Sequence, residues 1–531
     1  MKTKLYYFAV LLLAAGCTGV SGQNVQKGND YVEVPQFGAG IAEVKTQQGI
    51  VAGYVEDGTY IYKGITYAKA ERFMPPTEPD SWEGVKPTRA FGSTAMQAHH
   101  EISSDVDEFA YQWTDGYFAE DCQHLNIWTP GINDGKKRPV LFWIHGGGYA
   151  AGSGQQLPAY DGRNISRRGD VVFVTVNHRL NILGFLDLSA FGEKYKYSGN
   201  VGMLDLVAAL KWVHNNIEAF GGDPDNVTIM GQSGGGGKVS NLLVMPSAKG
   251  LFHKACIQSG SSLSGQTSEQ SRATGEALVK ASGLSIDEFV KLPYARLTEL
   301  AGASGAFRMS PTVDGEVIPM QIGEALQNGV SKDIPLMVGT NFNEFTTSTA
   351  NADMTREAAL VKLDEMYNGK GAEFAALFEK AYPGMEPRDM VEVDVRFRPG
   401  AVNQALAKAA QGGAPVYFYE FTYMSPAQDG VFRCPHNLEI AFFFDNVARQ
   451  YGFTGGSREA QQLGHAMCDA RVSFARTGVP SSRNLPEWVP FTADKRAAMI
   501  LDVNSEVRYG HDTELLDFAA RNAKPTEMFR R

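Results

Sequence analysis

One nine-residue stretch, Val227–Gly235, constrains the fold of this chain more than any other part of the sequence. Four β-favouring residues lead into a Gly-x-Ser-x-Gly pattern centred on Ser233. Gly231 and Gly235 flank the predicted turn, where side chains would crowd two segments of backbone that must pass closely. The pattern therefore predicts a buried strand, a sharp turn that exposes the serine, and a following helix, for which Lys238–Met245 has a suitable composition.

Length and charge limit the classes of protein to which the chain can belong. Its 531 residues contain no repeat or low-complexity linker. We therefore expect a signal peptide over residues 1–22, an N-terminal linker over 23–45 and a single domain over 46–531. The net charge of -10 and the pI near 5.6 provide no basic surface for nucleic acid or for anionic lipid, so neither is a predicted partner.

The N-terminus has the features of an export signal. Two lysines precede the apolar run Leu5–Ala15, which is short for a membrane span but typical of a secretory signal. The sequence Ala14–Cys17 is similar to a bacterial lipobox, in which Cys17 would carry the lipid, whereas Val20–Gly22 fits ordinary signal cleavage. We expect a periplasmic or outer-membrane lipoprotein, or alternatively a secreted soluble protein, with the lipid as the sole contact with a membrane.

Short apolar runs alternate with helical segments along most of the chain. One helix is predicted over Asp205–Ile217, because apolar residues recur there at three- and four-residue spacing. This alternation predicts an α/β fold with a mostly parallel sheet, whose ligands bind beyond the carboxyl ends of the strands. Antiparallel strands over 51–62 are expected at one edge. The apolar runs interpreted as further strands are Leu125–Trp128, Pro139–Ile144, Val171–Val176, the segment around Cys256, Pro335–Gly339 and Val416–Phe421.

A run of glycines follows the predicted strand that ends at Ile144. It reads His-Gly-Gly-Gly-Tyr and places Gly147 and Gly148 where backbone N–H groups can face a ligand without side chains in the way. Such a loop can form an oxyanion hole, which stabilises a negatively charged oxygen during acyl transfer. The run also fits a loose dinucleotide-binding pattern. That pattern requires a helix next, but Ala150–Asp161 is rich in glycine and proline.

A serine becomes a good nucleophile only when a histidine accepts its proton and an acid orients that histidine. Of the histidines after Ser233, His436 is favoured as the base because it follows a late predicted strand. His253 precedes a strand, His465 lies in an amphipathic helix, and His511 lies in the polar C-terminal segment. These three positions fit structural roles better.

Several carboxylates could orient the histidine. Glu344 is preferred because it lies directly beyond the predicted strand Pro335–Gly339. Asp314 and Glu316 precede that strand and resemble turn residues, whereas Glu439 is close to His436 in sequence and fits the start of a helix. No metal and no cofactor are predicted, since the cysteines and histidines lack the spacing of a zinc site.

These motifs resemble those of the type B carboxylesterases, a family that includes cholinesterases and bile-salt lipases. The resemblance covers roughly residues 51–509. It implies the α/β-hydrolase fold, a central mostly parallel twisted sheet flanked by helices, with inserted loops and helices around an active-site gorge. Gln232 and Gly234 depart from the pattern, since the family commonly has glutamate and alanine there. The similar segments are Glu120–Cys122, Leu125–Pro130, Asn177–Leu180, Leu183–Phe185, Gly199–Asp205 and Phe220–Gly235.

The resemblance also implies a role for each candidate residue. Ser233 would be the nucleophile, Glu344 the acid and His436 the base, and the amides of Gly147, Gly148 and Gly234 would form the oxyanion hole. The chain is thus expected to be a serine carboxylesterase that cleaves a small-molecule ester through an acyl-enzyme. The alternative is a non-catalytic binding or adhesion protein of the same fold. The sequence indicates neither the natural ester nor the oligomeric state.

Overall fold

The computed structural model describes residues 34–101, 104–303, 309–345 and 351–524. Within these ranges an eleven-stranded sheet forms the centre of the molecule. Its strands are β1 (Tyr54–Glu56), β2 (Thr59–Thr66), β3 (His124–Thr129), β4 (Arg138–Ile144), β5 (Val172–Val176), β6 (Gly222–Gln232), β7 (Lys254–Gln258), β8 (Leu336–Asn341), β9 (Val416–Phe421), β10 (Ala497–Leu501) and β11 (Glu506–Tyr509).

The strands are ordered β11-β10-β9-β8-β7-β6-β4-β5-β3-β2-β1 across the sheet. Those from β10 to β5 in this order pair in parallel, and antiparallel strands complete both edges. The predicted antiparallel edge is therefore confirmed for β1 and β2. The predicted mostly parallel sheet is confirmed as well, and it brings the carboxyl ends of the central strands to one edge.

Both faces of the sheet are covered, which explains why the central strands are apolar without interruption. In β4 the side chains of Leu141 and Trp143 enter the core on one face, while Val140, Phe142 and Ile144 enter the core on the other. All five are fully buried. Since the side chains of a strand alternate between faces, a strand that is buried on both sides needs no polar positions.

Helices supply the outer layers. Helices α4, α5 and α13 pack against one face, and α2, α15 and α17 against the other. The helices are α1 (Asp105–Tyr111), α2 (Arg163–Gly169), α3 (Asn181–Phe185), α4 (Val201–Asn216), α5 (Gly234–Leu242), α6 (Ser268–Ser282), α7 (Ile286–Phe289), α8 (Tyr294–Ala303), α9 (Ile322–Gln327), α10 (Arg356–Met366), α11 (Gly371–Ala381), α12 (Pro387–Glu392), α13 (Phe397–Ala410), α14 (Ala427–Gly430), α15 (Leu438–Phe443), α16 (Tyr451–Thr454), α17 (Arg458–Thr477) and α18 (Thr513–Asn522).

The N-terminal boundary differs from the prediction. Residues Glu43–Lys45, placed in the linker, form a strand that pairs with Ile50–Ala52, and Val85–Pro87 joins them in a small separate sheet. Ala42 and Val44 are buried, so the folded domain begins before residue 46. The predicted signal peptide and Cys17 lie outside the described residues. Among the described helices, none combines the length and the apolar character that a membrane crossing requires.

Candidate active site

Four segments that follow strands meet at the carboxyl edge of the sheet. Gly146–Gly148 follows β4, Ser233 follows β6, Glu344 follows β8, and His436 lies beyond β9. All of them line one cavity of about 780 Å³. The structure therefore brings together the serine, the glycine loop, the histidine and the glutamate that the sequence singled out.

Ser233 lies on a strained turn. Its backbone angles, φ 56° and ψ -126°, fall outside the regions that residues with side chains normally occupy. Conformations of this kind cost about 1–3 kcal/mol and persist only when the surrounding packing imposes them. A Cβ added at Gly231 would collide with the backbone of Gly235, and one added at Gly235 would collide with the carbonyl oxygen of Ile144. The turn therefore requires both glycines.

Helix α5 begins immediately after the serine, at Gly234, and so includes part of the segment Lys238–Met245 whose composition predicted a helix. Four consecutive glycines form its first turn. Glycine is a poor helix former, so the helix start depends on packing against β6 and β7 rather than on intrinsic propensity. The consequence for the site is that the partial positive charge of a helix N-terminus lies directly beside Ser233.

His436 and Glu344 form a buried pair. Nδ1 of His436 is hydrogen-bonded to Oε2 of Glu344, and the other carboxylate oxygen accepts the backbone N–H of Asn341 at 2.9 Å. Glu344 is only 2% exposed. Burial lowers the pKa of His436, but the charge and hydrogen bond of Glu344, together with the charges of Glu439 and Asp394, outweigh burial and hold that pKa above its ordinary value.

The other ring nitrogen of His436 is already occupied. The Nε2 atoms of Gln232 and His436 are 3.0 Å apart. When neutral His436 donates its Nδ1 proton to Glu344, its Nε2 carries a lone pair, and the amide of Gln232 donates to it. The hydroxyl of Ser233 has no hydrogen-bond partner among the described residues. Gln232 thus occupies the lone pair that would accept the serine proton.

The glycine loop presents free N–H groups. Gly147 and Gly148 have φ angles of 89° and 63°, which favour glycine. The carbonyl of Gly147 accepts hydrogen bonds from the backbone N–H groups of Ala150 and Ala151. Within the described chain, the N–H groups of Gly147, Gly148 and Gly234 have no acceptor. Three donors beside Ser233 are therefore available to a ligand oxygen.

Two further carboxylates, Glu439 and Asp394, lie behind the pair. Oε2 of Glu439 accepts a hydrogen bond from Asn341 at 2.7 Å, and Asp394 accepts the backbone N–H groups of Arg396 and Arg398. Burial, together with the charge of Glu344, raises the pKa of Glu439 and of Asp394 to about 7 in each case. Neither side chain bonds to His436. No motif marks Asp394, so its place near Glu344 emerges only from the fold.

The remaining candidates lie elsewhere. His253 accepts the backbone N–H of Val227 in the middle of β6. His465, on α17, lies 3.4 Å from Asp445. Asp314 accepts a hydrogen bond from Asn200, and Glu316 is paired with Lys196. None of these four candidates lines the cavity that contains Ser233.

The burial of His511 differs from the prediction, which placed it in a polar C-terminal segment. His511 is largely buried, and its Nε2 lies 3.1 Å from Glu420. Glu420, His511 and Asp512 could in principle hold a metal ion. Arg398 is ion-paired with both carboxylates, however, so a guanidinium already supplies the positive charge there.

Sequence comparison decides the family to which these features belong. The profile described as "Carboxylesterase family" matches residues 41–519. The chain belongs to this family. Para-nitrobenzyl esterase of Bacillus subtilis (strain 168) is 36% identical over 490 residues, which are 89% of this chain and 96% of that protein. Human cocaine esterase is 31% identical, over 83% of each chain.

Solved structures agree with the sequence comparison. An esterase of Clostridium hathewayi, described as hydrolysing aliphatic aromatic polyesters, superimposes with a TM-score of 0.84 at 38% identity, covering 92% of this chain and all of that one. The Geobacillus stearothermophilus carboxylesterase at pH 6.2 gives a TM-score of 0.74 at 37% identity, with 90% and 99% covered. The fold is therefore that of the α/β-hydrolases, and the chain is a carboxylic ester hydrolase.

The raised pKa of His436 predicts the pH dependence of this carboxylesterase. Only the neutral ring can accept a proton, so kcat/KM should rise with pH through a pKa above about 6.5, the ordinary value for histidine. Rates on an uncharged ester between pH 5 and 9 measure this limb. In Glu344→Gln the stabilising charge is absent, so the limb should move to lower pH and the rate should fall. A wild-type limb below 6.5, or one that Glu344→Gln leaves in place, contradicts the assignment.

A second pH prediction concerns the contact between Gln232 and His436. In Gln232→Glu a carboxylate replaces the amide beside Nε2 and favours the charged ring, which should raise the pKa of His436 by about one unit or more. The acid limb of kcat/KM should therefore move to higher pH. Gln232→Leu is the matched control, since it removes the amide without adding charge. If Gln232→Glu and Gln232→Leu have the same limb, the side chain at 232 does not face the ring.

Proposed function

We propose that this enzyme hydrolyses carboxylic esters through an acyl-enzyme formed on Ser233, with His436 as the base and Glu344 as the acid. The observation that carries the proposal is the turn at Ser233, which holds the serine at a helix N-terminus in the cavity that the His436–Glu344 pair also lines. A strained serine backbone beside a buried histidine–carboxylate pair has no evident structural purpose. Nucleophilic catalysis explains both features.

Acylation begins when Ser233 attacks the ester carbonyl carbon. As the new C–O bond forms, the serine proton moves to Nε2 of His436, from which the amide of Gln232 must withdraw. The carbonyl oxygen becomes an oxyanion and accepts hydrogen bonds from the N–H groups of Gly147, Gly148 and Gly234. Each such donor typically contributes about 10²–10³ in rate. Collapse of the intermediate transfers the proton from His436 to the departing alkoxide, which leaves as the alcohol.

Deacylation repeats these steps with water in place of the alcohol. His436 removes a proton from water as the water attacks the acyl carbon, and then returns it to Ser233 as the carboxylic acid leaves. Throughout, Glu344 accepts a hydrogen bond from the Nδ1–H of His436 and stabilises the charged ring. The neutral ring therefore keeps its proton on Nδ1 and its lone pair on Nε2. The roles require no metal and no cofactor.

The cavity accommodates a small-molecule ester as substrate. Its volume of about 780 Å³ is in the range of sites for drug-sized ligands. One wall contains Tyr111 and Trp113, whose rings stack with centroids 5.1 Å apart. Beside the catalytic pair, the ring of Phe345 lies 4.5 Å from that of His436. These aromatic surfaces favour acyl or alcohol groups with an apolar face.

The assignment of the nucleophile is tested by Ser233→Ala. Removal of a triad nucleophile should lower kcat by about 10⁴ or more while the protein remains folded. A fluorophosphonate probe should label wild-type Ser233, as located by peptide mass analysis. The control is Ser240→Ala on the same helix. Its hydroxyl donates to the carbonyl of Gly236 and does not line the cavity. Turnover in Ser233→Ala close to wild type would contradict the mechanism. Absence of labelling in folded wild-type protein would favour the non-catalytic binding protein instead.

We also propose, from the sequence of residues 1–22 alone, that the enzyme is exported and carries a lipid on Cys17. In a cell with a lipoprotein pathway, mass analysis of the mature N-terminus should find a lipid on Cys17, and the protein should partition with membranes. In Cys17→Ser the lipid should be lost. A mature chain that begins at Gln23 would instead support a secreted or periplasmic soluble enzyme. A mature chain that retains residues 1–22 would contradict export by either route.

A further inference from the structure

Lys238 is a buried lysine close to the nucleophile. It lies on α5, five residues after Ser233, and is completely inaccessible to solvent. In the described part of the chain no carboxylate lies within ion-pair distance of it. Lysines are almost never fully buried unless they are paired, because an ammonium ion loses its hydration there. Its position therefore needs another explanation.

The ammonium group binds the oxyanion loop. Its Nζ donates to the carbonyl oxygen of Gly148 at 3.0 Å and lies 3.4 Å from that of His145. Each carbonyl belongs to a rigid peptide plane, one joining residues 145 and 146 and the other joining 148 and 149. Two further peptide planes lie between these, joining residues 146 to 147 and 147 to 148, and they carry the N–H groups of Gly147 and Gly148. Lys238 thus fixes the planes on both sides of the two donors.

This support matters because the loop consists of glycines. Residues without a Cβ reach many backbone conformations, so Gly147 and Gly148 would not by themselves keep their N–H groups in one direction. Hydrogen-bond donors stabilise an oxyanion best when they are already oriented before the reaction. A lysine amine that donates to both flanking carbonyls supplies this orientation.

Gly234 makes the same arrangement possible. A Cβ at this position would come within 3.0 Å of the carbonyl group and the Cα of Gly148. The loop therefore approaches the start of α5 so closely that only glycine is accommodated. Gly234 and Lys238 therefore act on the same atom, the carbonyl oxygen of Gly148. Gly234, where the family commonly has alanine, leaves room for this oxygen, and Lys238 donates a hydrogen bond to it.

The titratable groups around Lys238 do not form an ion pair with it. Its titratable neighbours are His145 and His178, whose rings stack 5.0 Å apart, and Tyr149, whose ring centroid lies 5.5 Å from Nζ. Burial, reinforced by the charge of Lys238, lowers the pKa of both histidines, and burial raises that of Tyr149. All three are neutral near pH 7. Burial also lowers the pKa of Lys238 itself, to about 7.

We propose that Lys238 is a positioning residue for the oxyanion hole: by binding the carbonyls of His145 and Gly148, it holds the N–H groups of Gly147 and Gly148 toward the developing oxyanion. The proposal rests on the function proposed above. It assigns Lys238 an effect on the transition state rather than on substrate binding, because the oxyanion exists only after attack has begun.

The test compares Lys238→Met with Lys408→Met. Lys408 is the matched control, because it is also buried and donates to two carbonyls, those of Ser331 and Lys332, away from the cavity. With an activated ester, Lys238→Met should lower kcat at least about tenfold, part of the 10²–10³ that loss of a donor costs. KM should change little. Affinity for a trifluoromethyl ketone, which forms an oxyanion on the serine, should fall in proportion to kcat/KM. Lys408→Met should alter thermal stability but not kcat.

Two further variants address the case in which Lys238→Met does not fold. Lys238→Arg keeps N–H groups that can donate to the two carbonyls and should recover part of the rate. Gly234→Ala displaces the carbonyl of Gly148 and should lower kcat and trifluoromethyl ketone affinity together. The proposal is overturned if folded Lys238→Met, or Gly234→Ala in its place, retains wild-type kcat and inhibitor affinity. Fluorophosphonate labelling of wild-type Ser233 separates this outcome from failure of the proposed function, which would abolish labelling.

Discussion

The rest of the site depends on how closely the backbone packs around Ser233. The end of β4, the end of β6 and the first turn of α5 are so near one another that no Cβ fits at Gly231 or Gly235. This packing imposes the strained conformation of the serine and starts a helix in a run of glycines. One constraint thus exposes the hydroxyl and points a helix N-terminus at it. The same crowding brings the oxyanion loop against Gly234.

Burial shapes the electrostatics beneath this turn. Three carboxylates, Glu344, Glu439 and Asp394, lie close together in a region from which water is largely excluded. Burial first, and then repulsion by the charge of Glu344, raises the pKa of Glu439 and of Asp394 to about 7. Glu344 differs from both because it bonds directly to His436. The ionisation of Glu439 and Asp394, together with the protonation of His436, therefore determines the charge of the site near neutral pH.

Gln232 and Lys238 have opposite effects on how well the unliganded site is arranged for catalysis. Gln232 occupies the lone pair of His436, so the unliganded site is not yet arranged for proton transfer. Catalytic hydrogen bonds in unliganded enzymes are often absent and form only with substrate. Lys238 instead acts on a loop whose donors are free and stabilises it in advance. The unliganded enzyme thus has an ordered oxyanion loop and a histidine that must exchange one partner for another.

The sequence by itself determined the parallel sheet, the turn at Ser233 and the selection of His436 and Glu344 as candidates. Strand periodicity and glycine sterics are local, and the carboxyl ends of parallel strands must share an edge. The tertiary structure alone decided the burial of His511 and the partners of Gln232 and Lys238. Gln232 meets a residue 204 positions away, and Lys238 meets a carbonyl 90 positions away. Such contacts depend on how strands and loops pack across the whole sheet, which no local pattern encodes.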